Sequence, residues 1–189
     1  MRAFMKHLIL RYGQEQTNRW RLELWWDENI PRTEENKKRY IQLFGETYQI
    51  IKNYSPQLEV GGYGLRGNFL EEDNMLDIWK NEKVKPDFVS VIVYAYVRGT
   101  EKEEVFSKRN TDTEALKNTV TAVREYMDRV GMKDMKLYIT EWNLTISDRN
   151  YMNDTCFKGA YIVKNYLDFL WTYRYGRILC RKRPDVRAL

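Results

Sequence analysis

The sequence predicts an α/β fold built on a parallel sheet, about four β/α units long. Three observations lead there. Apolar runs of strand length alternate with segments of helical periodicity, an order that calls for parallel strands joined by helical crossovers. Residues 88–96 are apolar almost without interruption, as in a strand buried on both faces. Two strand ends carry a carboxylate set among Trp and Asn: Trp25-Trp26-Asp27-Glu28-Asn29 and Thr140-Glu141-Trp142-Asn143. Four units make half of a (β/α)8 barrel or most of a small open sheet. Chemistry gathered at C-terminal strand ends is a barrel habit, which favours a partial TIM (β/α)8 barrel.

The elements follow in order. Residues 2–12 read as a helix closed by Gly13, and residues 20–26 as an aromatic-rich strand. Residues 34–53 read as a helix, because Tyr40, Ile41, Phe44, Tyr48 and Ile51 share one face. Ser55-Pro56 stops it, since the residue before proline avoids the helical region. Residues 58–62 form a short strand, and residues 69–81 a helix around Leu70, Leu76, Ile78 and Trp79. After the strand at 88–96, Thr111 and Glu114 have capping-box spacing. Leu116, Val120, Val123, Met127 and Val130 then make one stripe, ended by Gly131. Residues 136–140 are the last strand of the set, and residues 154–171 the last helix. The expected organisation is one domain over residues 1–171 and a basic tail over 172–189. That tail is expected to be disordered or the product of a reading-frame slip that replaced an eighth strand, with a patch for nucleic acid or an acidic partner as the other reading of residues 174–187.

Composition narrows the function classes. At 189 residues, 43% hydrophobic and 31% charged, the chain suits one packed domain and not a disordered one. Its longest near-apolar run, residues 88–97, is about half of what a bilayer needs. The first ten residues are too short and too charged for a signal peptide. Two cysteines, Cys156 and Cys180, make no disulfide framework, so the expected compartment is the reducing cytoplasm. A single histidine, His7, argues against a metal site. Gly61-Gly62-Tyr63-Gly64 lacks the spacing and the lysine of a phosphate loop, so no cofactor is expected. The net charge of +5 resides entirely in residues 172–189. The neutral body lacks the basic face of a nucleic-acid reader.

Two carboxylates at separate strand ends, set among tryptophans, fit glycoside chemistry. One protonates the leaving oxygen while the other attacks the anomeric carbon or activates water. Aromatic rings offer flat apolar faces to sugars, and Asn offers hydrogen bonds to hydroxyls. On this reading Trp26, Asn29, Tyr94, Trp142 and Asn143 would meet substrate. The plainer reading makes the same carboxylates ordinary strand-end polar groups and the tryptophans core.

Further motifs add a resemblance. Arg11-Tyr12-Gly13, Trp20-Arg21-Leu22-Glu23-Leu24-Trp25, Val60-Gly61-Gly62, Pro86-Asp87-Phe88-Val89-Ser90 and Ile139-Thr140-Glu141-Trp142-Asn143 resemble, in order, glycoside hydrolase family 39. That family of β-xylosidases and α-iduronidases is built on a (β/α)8 barrel. The resemblance covers roughly residues 3–170 and implies barrel strands four to seven. It implies Glu141 as the nucleophile of a retaining β-xylosidase-type site. The family's Asn-Glu-Pro-Asn becomes Trp26-Asp27-Glu28-Asn29, which makes Asp27 a degenerate acid/base. A one-residue gap would make Glu28 the acid instead. The family's histidine on the sixth strand is replaced by Ile92.

These departures have chemical consequences. Asp is a methylene shorter than Glu, and a misplacement of about 1 Å costs on the order of 100-fold. Trp26 in place of Asn removes a hydrogen bond to the sugar's 2-hydroxyl and is expected to crowd the site. The alternative implied by resemblance is a non-catalytic sugar-sensing domain, like the degenerate family-39 domains of AraC-type transcription regulators, or a truncated remnant. Expected partners are a carbohydrate, a β-xyloside or related glycoside, and either the missing half-barrel or a second copy. Unpaired sheet edges template association.

Overall fold

The computed structural model describes residues 1–27, 29–98, 107–147, 149–173 and 178–180. The fold is α/β. Five strands form one sheet in the order β1-β2-β3-β6-β7: β1 Arg21–Trp25, β2 Glu59–Arg66, β3 Phe88–Tyr94, β6 Lys136–Asn143 and β7 Ile178–Cys180. β1 pairs in parallel with β2, Arg21 opposite Glu59, and β6 with β7, Leu137 opposite Ile178. β4 Tyr96–Arg98 and β5 Ser107–Arg109 form a separate antiparallel pair. The helices are α1 Arg2–Tyr12, α2 Gln14–Asn18, α3 Glu34–Tyr54, α4 Met75–Trp79, α5 Ala115–Arg129 and α6 Cys156–Tyr173. No helix among the described residues is long and apolar enough to cross a membrane.

The chain divides into two compact units. The first comprises Met1–Gly64 and Asn74–Ser90, the second Leu65–Asp73 and Val91–Leu189. In the first, α1 ends where expected, because Gly13 takes φ +82° and its N–H caps the Ile9 carbonyl. Thr33 caps α3 by accepting from the Asn36 N–H. Tyr40 and Phe44 of α3 pack edge-on against Trp79 of α4, with centroids 5.9 and 4.7 Å away. Trp79 itself is fully buried. Asp87 then ties the start of β3 to its neighbours. Its Oδ2 accepts from the Val60 N–H at 2.7 Å and pairs with Lys52 Nζ at 2.6 Å, while Oδ1 accepts from the Tyr48 hydroxyl at 3.0 Å.

Gly61 and Gly62 have steric reasons of their own. A Cβ on Gly61 would lie 2.3 Å from the Phe88 carbonyl oxygen. A Cβ on Gly62 would lie 2.4 Å from Tyr40 Oη and 2.6 Å from the Leu24 carbonyl oxygen. That space lets Tyr40 Oη donate to the Leu24 carbonyl at 2.5 Å.

In the second unit α5 buries Leu116, Val120, Val123 and Met127. It closes in a Schellman pattern: the Met132 N–H bonds the Met127 carbonyl and the Gly131 N–H bonds the Asp128 carbonyl. Lys164 of α6 bridges Glu114 at 2.5 Å and Asp168 at 2.6 Å.

Three local expectations are corrected. The helix expected over residues 69–81 is a 3₁₀ turn, Gly67–Glu72, followed by the short α4. Asp73 and Asn74 leave helical geometry between them. The strand expected over residues 88–96 breaks at Ala95, whose N–H bonds the Asn143 carbonyl and whose carbonyl accepts from the Asn110 N–H. The Thr111/Glu114 capping box is not made. Asn110 Oδ1 accepts from the Asp112 N–H and Asp112 Oδ1 from the Glu114 N–H, so local side-chain turns occupy the helix entrance. The span expected as a tail includes the end of α6 and the strand β7. The charged run at 101–104, which its sequence marks as an expected solvated loop, Glu28 and the residues beyond 180 lie outside the described residues.

Candidate functional site

On β6, strand alternation sends neighbouring side chains to opposite faces. Trp142 packs against α6, its ring centroid 5.6 Å from Tyr166 and 6.2 Å from both Tyr161 and Phe169. Its indole N–H is buried there with no hydrogen-bond partner among the described residues. Burial also pushes the Tyr161 hydroxyl up to about 12. This side of β6 is packing, so Trp142 stands away from the carboxylate beside it.

Glu141 faces the other way, half-buried. Tyr94, at the last position of β3, donates its hydroxyl to Glu141 Oε1. The structure thus joins two residues that the sequence offered separately. Asn143 follows at the end of β6, where its Oδ1 accepts from the Leu144 N–H at 2.9 Å and its carbonyl from the Ala95 N–H at 3.2 Å. Ile92 is buried in β3 at 8% exposure, and an alkyl group there has no polar atom to offer a substrate.

Sequence reasoning missed Asn68. It lies on the 3₁₀ turn after β2, half-buried. Its Nδ2 donates to the Tyr94 carbonyl at 3.1 Å and to the Tyr96 carbonyl, and its Oδ1 accepts from the Tyr94 N–H at 3.5 Å. No motif covers this residue, and its helix-like surroundings in the sequence gave no signal.

The first unit holds the other strand end. Asp27 is exposed just past β1. Its Oδ1 accepts from the Asn29 N–H at 2.9 Å and from Asn29 Nδ2 at 3.0 Å. Asp27 and Asn29 therefore form one local turn, in which the Asn29 side chain is engaged with the carboxylate. Trp26 is 2% exposed. Its indole N–H donates to the Ile30 carbonyl at 3.0 Å, and its ring lies 5.5 Å from that of Tyr40, with the Arg32 guanidinium 5.4 Å from its centroid. The crowding expected of Trp26 is relieved by this placement, because its ring is folded into the core of the unit. Under it, burial and the Glu23 charge hold the Tyr40 hydroxyl well above its ordinary range.

A carboxylate oriented by a phenol at a strand end is suited to act as an oxygen nucleophile or a base. An exposed carboxyl at another strand end is suited to proton transfer. Among the described residues no three His, Cys, Asp or Glu side chains cluster as a metal site would need.

The family model described as Glycosyl hydrolases family 39 matches residues 1–174. A β-xylosidase of Geobacillus stearothermophilus is 28% identical over 185 residues, covering 90% of this chain and 37% of that protein. A crystal structure of a monomeric β-xylosidase from Caulobacter crescentus CB15 aligns with TM-score 0.75 and 26% identity, over 96% of this chain and 36% of that one. A GH39 enzyme from Xanthomonas axonopodis pv. citri aligns with TM-score 0.73 and 25% identity, over 95% and 36%. The chain spans just over a third of the length of these relatives, and so corresponds to part of their fold.

Proposed function

The chain belongs to glycosyl hydrolase family 39, and from that premise we propose that it carries the nucleophile-bearing part of a retaining glycosidase acting on β-xylosides or related glycosides. A Glu141 carboxylate oxygen attacks the anomeric carbon, and the bond to the leaving oxygen breaks with its electron pair going to that oxygen. Asp27 supplies the proton the leaving oxygen takes up. Water then gives a proton back to Asp27 and attacks the same carbon, which releases the sugar from Glu141. The observation that carries this reading is the hydrogen bond from Tyr94 Oη to Glu141 Oε1, which fixes one carboxylate oxygen and leaves the other to react. Asp27 is the weak partner. It is shorter than Glu, and its Oδ1 is already engaged by Asn29. The remainder of a family-39 barrel is the partner this site would need.

The test separates the two carboxyls. An aryl xyloside with a dinitrophenolate leaving group departs without help from an acid. A fluorine at the sugar's second carbon makes the glycosyl-enzyme persist. The full chain is incubated with this reagent, alone and together with the preceding part of the Geobacillus β-xylosidase, and digested for mass spectrometry. The expected result is a sugar adduct on the peptide containing Glu141, absent in Glu141→Gln. No adduct in either mixture would end the reading.

A further inference from the structure

We propose that Asn68 is a positioning residue for Glu141, acting through Tyr94. The proposal rests on the reading of Glu141 as the reacting carboxylate, and extends it to a residue on a different strand connection.

The chain must do two things at the end of β3. Tyr94 has to present its hydroxyl to Glu141, and one residue later the backbone has to leave the sheet to start β4. Ala95 is the break between β3 and β4. The Tyr94 and Tyr96 carbonyls flank that break. Asn68 bonds both with one Nδ2 group, and its Oδ1 meets the Tyr94 N–H. The primary amide therefore spans Ala95 from outside, while the Ala95 N–H is held from the other side by Asn143, the residue two beyond Glu141. A carboxamide alone offers two donors and an acceptor in one plane; Asp would lack the donors, and Ser the reach.

Gly67 brings the amide close enough. A Cβ there would meet Thr119 Cγ2 of α5 at 2.4 Å and Val93 Cγ2 of β3 at 3.2 Å, so with Thr119 in place a larger residue would force the turn to shift. The result is a relay of fixed geometry, from Asn68 to the Tyr94 backbone to the Tyr94 hydroxyl to Glu141 Oε1. A site held loosely by about 1 Å loses much of its rate, which gives this support a functional consequence.

The experiment reads the Tyr94 hydroxyl directly and needs no turnover. The full chain is labelled with ¹³C at the tyrosine ζ carbon, and the Tyr94 signal is assigned by its disappearance in Tyr94→Phe. Glu141→Ala removes the acceptor and defines the shift of an unbonded Tyr94. Asn68→Ala is expected to move the Tyr94 signal at least halfway to that position, and to move it no further when Glu141→Ala is already present. A residue that merely stabilised the turn would leave the signal in place. An unmoved Tyr94 signal in a folded Asn68→Ala chain overturns the proposal, as do additive shifts in the double variant. Asn68→Leu, neutral and of similar bulk, gives the same reading should the alanine variant fail to fold. In the unsubstituted chain, couplings across the hydrogen bonds from Asn68 Nδ2 to the carbonyl carbons of Tyr94 and Tyr96 are expected, and their absence overturns the proposal whatever the variants do. Failure to cleave or trap a xyloside would strike the glycosidase reading and leave these signals unaffected.

Discussion

The family's Asn-Glu acid motif invites repair of Trp26-Asp27, and the structure makes the Trp26→Asn half of that repair costly. Trp26 is 2% exposed, packs on Tyr40 and Arg32, and satisfies the Ile30 carbonyl through its indole N–H. Truncating a buried tryptophan costs about 3–5 kcal/mol. Asn adds an amide to an apolar site, so the upper part of that range applies. Against a typical domain stability of about 5–15 kcal/mol, this is a third or more of the total. With a urea dependence of about 2 kcal/mol per molar, Trp26→Asn should lower the unfolding midpoint by about 2 M. Asp27→Glu, on an exposed residue whose side chain has two exposed turn bonds to Asn29 to lose, should cost under about 1 kcal/mol. The assay is urea unfolding followed by circular dichroism on the full chain, with both variants beside the unsubstituted protein. A Trp26→Asn midpoint within about 0.5 M of the original would refute the placement of that ring in the core.

Other consequences are open to measurement. Tyr161 keeps its proton to about 12 when folded, against 10.0 ordinarily, so the unfolded chain ionises first as pH rises. Stability that is whole below pH 10 should fall between 10 and about 12, and Tyr161→Phe should flatten part of that decline in thermal melts. Tyr48, raised to about 12 by burial and Asp87, and Tyr40, raised by burial and the Glu23 charge, contribute to the rest. Because the Tyr161 hydroxyl is buried without a partner among the described residues, the same variant should gain about 1 kcal/mol at neutral pH. Gly62→Ala should lose about 1–3 kcal/mol, as overpacking does, read as a lowered Tm. Deleting residues 174–189 removes β7 and bares the edge of β6, so light scattering should show more self-association.

Legibility in the sequence followed how local each signal was. Gly13 and Gly131 end their helices through their own backbone freedom, and both ends were readable. The strand at 136–140 was recognised but cut short, because Glu141, Trp142 and Asn143 look like loop residues while they continue the pairing. Their opposite faces were implicit in strand alternation, which already separates a Glu from the Trp beside it. The break at Ala95 had no local mark, since the apolar run passes through it. What makes the break is the side chain of residue 68, the backbone N–H of residue 110 and the carbonyl of residue 143, all distant in sequence. The partial barrel was legible because alternation repeats over the whole chain, whereas the contact of Asn68 with Tyr94 is made by a lone amide with no pattern around it.

The two tight glycines carry different evolutionary freedom. At Gly67 the nearest atom is a Thr119 methyl, the tip of a side chain. Drift can reach alanine there by trimming Thr119 first, and homologues should show the two positions changing together. At Gly62 one obstacle is Tyr40 Oη, but the other is the Leu24 carbonyl, main chain of the adjoining strand. No substitution elsewhere removes a carbonyl. Position 62 is therefore closed to compensation, and a related chain without glycine there must space its first two strands differently.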